Sequence, residues 1–385
     1  MTVSDETEVR PQAPLGEGPD DEKPRSGLGT NLLRVGVSLV VPILAIVGLY
    51  YAGTVVLDED ANRGVVVVMA LIVGVVGVFA LYYGMDYVIN RLPEHHRDKV
   101  RPFAFVGPAV VLLTIFLVYP AINTVVLSLQ DQRSQNFVGL DNYVNIFSNS
   151  DTLVALRNSI AWVIVVPLAS VVIGLTFAVL SDRLGRKTEA LSKTFIFMPM
   201  AISFVGASIV WRFIYNFRPE GFGEQIGLLN GIFTGLGAEP VAWLLQEPWN
   251  NFYLMVILIW LQTGFAMVVL SAAIKSVPED IIEAARIDGA TEVQVFRRIT
   301  IPSIQSTIVV VATTVIITVW KVFDIVFVMT GGRFDTSVVA ERMVTEFFTF
   351  RNNGTGAALA VVLLVAIIPL MVVNVKRFRE QEETR

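Results

Sequence analysis

Glu283-Ala284-Ala285-Arg286-Ile287-Asp288-Gly289, followed after nine residues by Ile299-Thr300-Ile301-Pro302, is a polar stretch set between two long apolar runs. A chain that merely turned between two membrane-crossing helices would keep only a short link there. Ser276-x-x-Glu279 reads as a capping box that starts a helix. Thr291-x-x-Gln294 reads as a second one, just past the helix-stopping Gly289. The loop is therefore expected to fold as a short helix-turn-helix knob, and this much ordered polar structure on one loop points to a partner held there.

Working outward, 54% of the residues are hydrophobic and 16% charged, with a mean hydropathy of +0.63, which is the composition of an integral membrane protein. A membrane-crossing helix needs about 20 mostly apolar residues. Eight runs qualify, at roughly 32–53, 65–90, 103–129, 159–181, 194–216, 251–274, 304–330 and 356–375. The expected fold is an all-α polytopic membrane protein with eight transmembrane helices and both termini on one side.

Charge supplies the orientation, because cytoplasmic loops collect Lys and Arg. Arg91, Arg97, Lys99 and Arg101 lie in one loop, Arg183, Arg186, Lys187 and Lys193 in another, and Lys376, Arg377 and Arg379 in the tail. These belong in the cytoplasm, as do both termini. Asp58-Glu59-Asp60 and the segment 217–250, with Arg218 against Glu220, Glu224, Glu239 and Glu247, belong outside. The Glu283 loop, carrying Arg286, Arg297 and Arg298, then falls inside. The net charge of −5 adds little, since distribution matters more than the sum.

Residues 1–31 are acidic and rich in Pro and Gly, and read as a disordered cytoplasmic tail rather than a cleavable leader. Residues 32–101 form an apolar two-helix hairpin with its basic loop, 102–376 a six-helix core carrying the polar loop at 276–303, and 377–385 a short cytoplasmic tail.

Several chemistries are excluded. There is no cysteine, and the two histidines, His95 and His96, are adjacent in a solvated run. No metal site and no catalytic residues are expected. No G-x-x-x-x-G-K-[ST] sequence occurs, and Gly331-Gly332-Arg333 lacks the lysine, so the chain is not expected to hydrolyse ATP by itself.

Polar groups within apolar runs are costly and mark paths or partners. Lys321 and Asp324, three apart in the seventh run, would pair on one helical face, either lining a polar path with Thr318 or simply stabilising packing. Gln262 and Thr263 lie between Trp260 and Phe265. Amides beside aromatic faces suit a sugar ring, and the same groups equally suit helix-helix hydrogen bonding.

The pattern Glu283-Ala284-Ala285-x-x-x-Gly289-x9-Ile299-x-Ile301-Pro302 resembles the EAA motif of inner-membrane subunits of binding-protein-dependent ABC importers, with Ile301 where that family favours Leu. The resemblance runs from about Phe103 onward and includes Gly139-Leu140-Asp141-Asn142-Tyr143, Ile226-Gly227-Leu228-Leu229-Asn230 and Met329-Thr330-Gly331-Gly332. These features are similar to sugar permeases of the maltose type. Val322-Phe323-Asp324-Ile325-Val326 and Asn353-Gly354 look most like the alpha-glucoside permeases.

The resemblance implies a type I ABC permease fold with a cytoplasmic coupling helix, in a bacterial or archaeal cytoplasmic membrane. Its coupling residues would be Glu283, Ala284, Ala285, Asp288, Gly289, Ile299 and Pro302. The implied partners are a second homologous permease, two ATP-binding subunits that carry the ATP and Mg, and an extracytoplasmic sugar-binding protein. No cofactor on this chain and no nucleic acid are implied. The family's sugar site, halfway across the bilayer, maps onto Leu261, Gln262, Phe265, Val315, Thr318, Val319 and Val322, with Lys321 and Asp324 close by. Several of these are apolar where the maltose permease is polar or aromatic, so the maltose site itself does not carry over. An importer of a non-sugar solute, or a channel or secondary transporter whose polar loop merely scaffolds, are the alternative readings.

Overall fold

The computed structural model describes residues 50, 63–90 and 94–383. The expected tail 1–31 and nearly all of the first expected run, 32–53, lie outside the described residues. Among those described, regular structure is helical apart from an isolated antiparallel bridge between Gln130 and Phe137. The described residues divide into two compact units, with the boundary between Leu117 and Val118.

In the first unit the helices Arg63–Ile89 and Glu94–Leu113 pack together. Tyr82 and Phe105 stack with ring centroids 6.0 Å apart, and Arg101 reaches Asp86 at 3.7 Å.

The second unit is organised around Ser150–Asp182 and Trp249–Lys275. At one end the indole N–H of Trp162 donates to Asn251 Oδ1 at 2.7 Å. Midway, a Cβ on Gly174 would stand 2.6 Å from that of Ala266. At the other end Lys275 pairs with Asp182 at 3.3 Å. The two helices are therefore antiparallel, and the missing side chain at Gly174 brings their backbones close, as small residues do between membrane helices. Trp162 and Asp182 are separated by about 30 Å of helix at 1.5 Å per residue, close to the thickness of bilayer hydrocarbon. Polar locks thus bracket the apolar length.

Trp249–Lys275 is the central helix: 67% of its most apolar stretch is buried, against 28% for Ser150–Asp182 and none for His95–Leu127. Its Leu254 and Leu258 share the main apolar cluster with Trp162, Val315 and Ile325.

Two expected straight spans are bent. The 194–216 run is Arg186–Ala201 plus Phe204–Ile214, meeting at 102°. Ser203 caps the second piece, its hydroxyl accepting from the Gly206 N–H at 3.1 Å. The seventh run, 304–330, breaks between Gln305–Trp320 and Asp324–Met329, and a 67° bend at its start sets it off from Glu292–Ser303. By length and composition, three helices among the described residues suffice to cross a membrane, or up to five if each bent pair counts as one span.

The break before Asp324 overturns the expected Lys321–Asp324 pair. Such a pairing needs an unbroken helix, whereas Lys321 sits exposed just past one helix and Asp324 opens the next. The segment 217–250 folds back onto the core through the helix Leu228–Gly235 and the buried Trp243, whose ring meets Tyr253 edge-on at 5.1 Å.

Candidate functional site

The polar loop is built as two short helices, Glu279–Ile287 and Glu292–Val295, which lead through a wider turn, Phe296–Thr300, into the seventh run. The first starts differently from expectation. Pro278 precedes it without a side-chain cap, and Ser276 instead closes the preceding helix, its hydroxyl donating to the Ala273 carbonyl at 2.7 Å. The physical reason is that the central helix continues to Lys275, leaving Ser276 no extended backbone with which to cap anything downstream.

The end of that helix follows the expected chemistry. Gly289 has φ +83°, a conformation that costs little only without a Cβ. Its N–H donates to the Arg286 carbonyl and that of Ala290 to the Ala285 carbonyl, each at 3.0 Å, the paired closure typical of a left-handed glycine. The expected capping box follows: Gln294 N–H donates to Thr291 Oγ1 at 3.4 Å and Thr291 N–H to Gln294 Oε1 at 2.8 Å. Across the turn, Arg286 donates to Glu292 twice, Nε to Oε1 at 2.8 Å and Nη2 to Oε2 at 3.2 Å. The Arg286 guanidinium holds the Glu292 carboxyl below its usual range, and Glu292 in turn raises Arg286.

The loop's outward face is open. Glu283, Ala284, Asp288, Gly289 and Pro302 are exposed, while Ala285 and Ile299 are half-buried. The Glu283 carboxylate has no ion pair or hydrogen bond among the described residues. Sequence reasoning missed the apolar members of this face: Ile287 is 86% exposed and Ile281 50%. They stand six apart, so Ile281, Ala284 and Ile287 recur at helical spacing, a signal present in the sequence. Behind the loop, Glu189 joins Lys193 and Lys275, and Lys193 also donates to Ser271 Oγ at 2.6 Å. The loop thus springs from a fixed base.

The residues assigned to a path separate into two groups. Leu261, Val315, Val319 and Val322 are buried together in the main apolar cluster, with Phe265 packed against it. Gln262 is also buried. Thr318 is half-buried, its hydroxyl donating to the Thr314 carbonyl at 3.0 Å, and Lys321 and Asp324 lie at the break beyond it. Trp260 also packs against this cluster, meeting Trp211 edge-on at 5.8 Å.

Residues 170–377 match the family described as binding-protein-dependent transport system inner membrane component. The osmoprotective compounds uptake permease protein GgtC of Synechocystis sp. is 54% identical over 281 residues, covering 73% of this chain and 100% of that protein. The alpha-glucoside transport system permease protein AglF of Rhizobium meliloti is 49% identical over 280 residues, covering 72% of this chain and 82% of AglF. The crystal structure of a bacterial ABC transporter involved in the import of the acidic polysaccharide alginate shares the fold, with a TM-score of 0.64 at 21% identity over 74% of this chain and 99% of the matched one. The chain therefore belongs to the family of binding-protein-dependent transport system inner-membrane components, the permeases of ABC importers.

Proposed function

We propose that this chain is one permease subunit of an ATP-driven importer of alpha-glucosides or similar sugars, and that the Glu283 loop couples it to a separate ATP-binding subunit. The observation that carries the coupling is the preformed knob. Its turn is closed internally by Gly289, Thr291 and the Arg286–Glu292 pair, while the uncommitted Glu283 and the apolar Ile281, Ala284 and Ile287 face outward. An apolar stripe beside exposed carboxylates, Glu283 together with Glu279 and Asp280, suits a groove with a basic rim. A rigid knob transmits the closing of the nucleotide-binding dimer as a rigid-body movement of the attached helices.

The sugar class rests on the alpha-glucoside permease relative. The assembly would comprise a second permease, two ATP-binding subunits holding ATP and Mg, and an extracytoplasmic sugar-binding protein, in a cytoplasmic membrane crossed eight times with both termini inside. ATP hydrolysis would reside on the partner subunits. The path would run past Gln262, Phe265 and Thr318 toward Lys321 and Asp324. In the resting arrangement Leu261, Val319 and Val322 form its closed apolar wall, which parts as the helices move. A second reading is favoured by the osmoprotective-compound permease relative, namely that the cargo is a compatible solute.

The test is to purify the co-expressed complex, reconstitute it, and measure ATP hydrolysis with the binding protein loaded by different solutes. Sugar-loaded protein is expected to stimulate hydrolysis, and Glu283→Lys to abolish the stimulation while the chain stays inserted. Stimulation by an amine or anion alone sinks the sugar reading. Undiminished stimulation in Glu283→Lys sinks the coupling reading.

A further inference from the structure

At the end of the two antiparallel helices far from the polar loop, a cavity of about 470 Å³ lies between the stretch Arg157–Val165 of one helix, the first turns of Trp249–Lys275 and the loop after the seventh run. Its size is within the roughly 300–1,000 Å³ typical of small-molecule sites. Arg157, Glu247, Trp249, Phe252 and Asp335 line it. The side chains of Arg157, Glu247 and Asp335 make no ion pair or hydrogen bond among the described residues. Nearby charges behave otherwise. Arg342 pairs with Glu346 at 2.9 Å and Asp151 at 3.7 Å, and Glu341 accepts from Ser337 and Thr345 at 2.6 and 2.7 Å. That neighbouring cluster is committed to structure, whereas this cavity's charges are not.

Asp335 is brought to the cavity at a conformational cost. Phe334 and Asp335 have φ of 58° and 55°, and such non-glycine conformations persist only where the surroundings over-determine them. Two buried asparagines do so. Asn250 Nδ2 donates to the Phe334 carbonyl at 2.6 Å, and Asn158 Nδ2 to the carbonyls of Asp335 and Ser337 at 2.6 and 2.9 Å. Two amides, one from each helix, are spent on presenting a single uncommitted carboxylate. Trp249 adds an indole that is 60% exposed. One aromatic face ringed by a guanidinium and two carboxylates offers both donors and acceptors to a polyhydroxylated ring.

We propose that this cavity is an entry subsite that takes one sugar ring of the transported solute, with Trp249 against the ring face and Arg157, Glu247 and Asp335 on its hydroxyls. The proposal rests on the sugar reading above and lies apart from the path at Gln262 and Thr318.

The test uses the assembled importer in proteoliposomes with two readouts: the half-saturating sugar concentration for uptake, and the half-saturating concentration of sugar-loaded binding protein for ATP hydrolysis. Asp335→Asn and Trp249→Ala are each expected to raise the first about tenfold, through the loss of one charge-assisted contact and of the aromatic ring face respectively, and to leave the second unchanged. Methyl alpha-glucoside is expected to quench the wild-type tryptophan fluorescence, and Trp249→Phe to remove the quench. Variants matching wild type in uptake overturn the subsite and leave the sugar reading standing. A raised binding-protein requirement overturns it in favour of a protein-docking surface. Quenching by glycine betaine but not by the glucoside overturns it in favour of a zwitterion site. A wild-type importer that moves no sugar removes the sugar reading itself, whatever the variants do.

Discussion

Gly354 lies directly against Asn142: a Cβ built on the glycine would stand 2.8 Å from Asn142 Nδ2 and collide with the Gln130 carbonyl. The same Nδ2 donates to the carbonyls of Ser128 and Gln130 at 2.9 and 2.7 Å. Asn142 and Gly354, from two motifs far apart in sequence, are therefore halves of one junction that ties Tyr119–Leu127 to Asn353–Glu383.

Gly354→Ala is expected to cost about 1–3 kcal/mol of stability, the usual price of forcing atoms into a filled space. Gly231→Ala is the control: nothing lies within 4 Å of a Cβ there, so the change is expected to be neutral or slightly stabilising through the unfolded chain. Thermal unfolding of the purified chain in detergent separates the two, and equal midpoints refute the junction.

Asn158→Ala and Asn250→Ala should each cost about 1 kcal/mol or more, because each removes a buried amide that holds backbone carbonyls of the strained loop, two for Asn158 and one for Asn250. Their effects should also couple, since both hold the segment Phe334–Ser337. A double-mutant cycle on unfolding midpoints checks this, and strict additivity counts against a shared strained element.

What was legible in the sequence was chemistry with a local spacing. The Thr291–Gln294 box and the stop at Gly289 follow from neighbouring residues. Ser276 misled because whether it opens one helix or closes another depends on where the central helix ends, which packing decides. The bend at Ser203 and the break before Asp324 escaped because hydropathy measures apolarity, not helicity, although Pro199 stood close to the first. Leu261, Val319 and Gln262 were legible as intramembrane residues, yet spacing along one helix does not say which neighbour it faces. Asn142 and Asn230 entered only as members of motifs, and Asn158 and Asn250 carried no local signal. Their role as buried clamps on distant backbone appears only in three dimensions.

Gly289→Val and Gly289→Asn test the turn of the coupling loop. At φ +83°, a β-branched residue is strained while Asn is tolerated far better. Val is expected to abolish ATP hydrolysis stimulated by the binding protein and weaken co-purification of the ATP-binding subunit, with insertion unchanged. Asn should retain most of both. Identical behaviour of the two variants shows that the glycine's conformation does not position the knob.

The Arg286–Glu292 pair gives the loop a pH dependence whose sign follows from the carboxylate. Its folded value is lowered from the ordinary 4.5, first by the hydrogen bond from Arg286 and then by that residue's charge. The contribution is fully present above about pH 4.5 and is lost as pH falls through the lower folded value. Arg286, raised above an already high value, stays charged throughout. Both side chains are more than half exposed, so the effect is local rather than global. Amide-exchange protection of the 279–295 segment, corrected for intrinsic rates, is expected to hold from pH 7 to 5 and to fall below pH 4.5. Glu292→Gln should show the low protection already at pH 7 and change little with acid. A parallel acid loss in wild type and Glu292→Gln would assign the titration to another group, and the closed turn would then owe its order to Gly289 and the Thr291 cap alone.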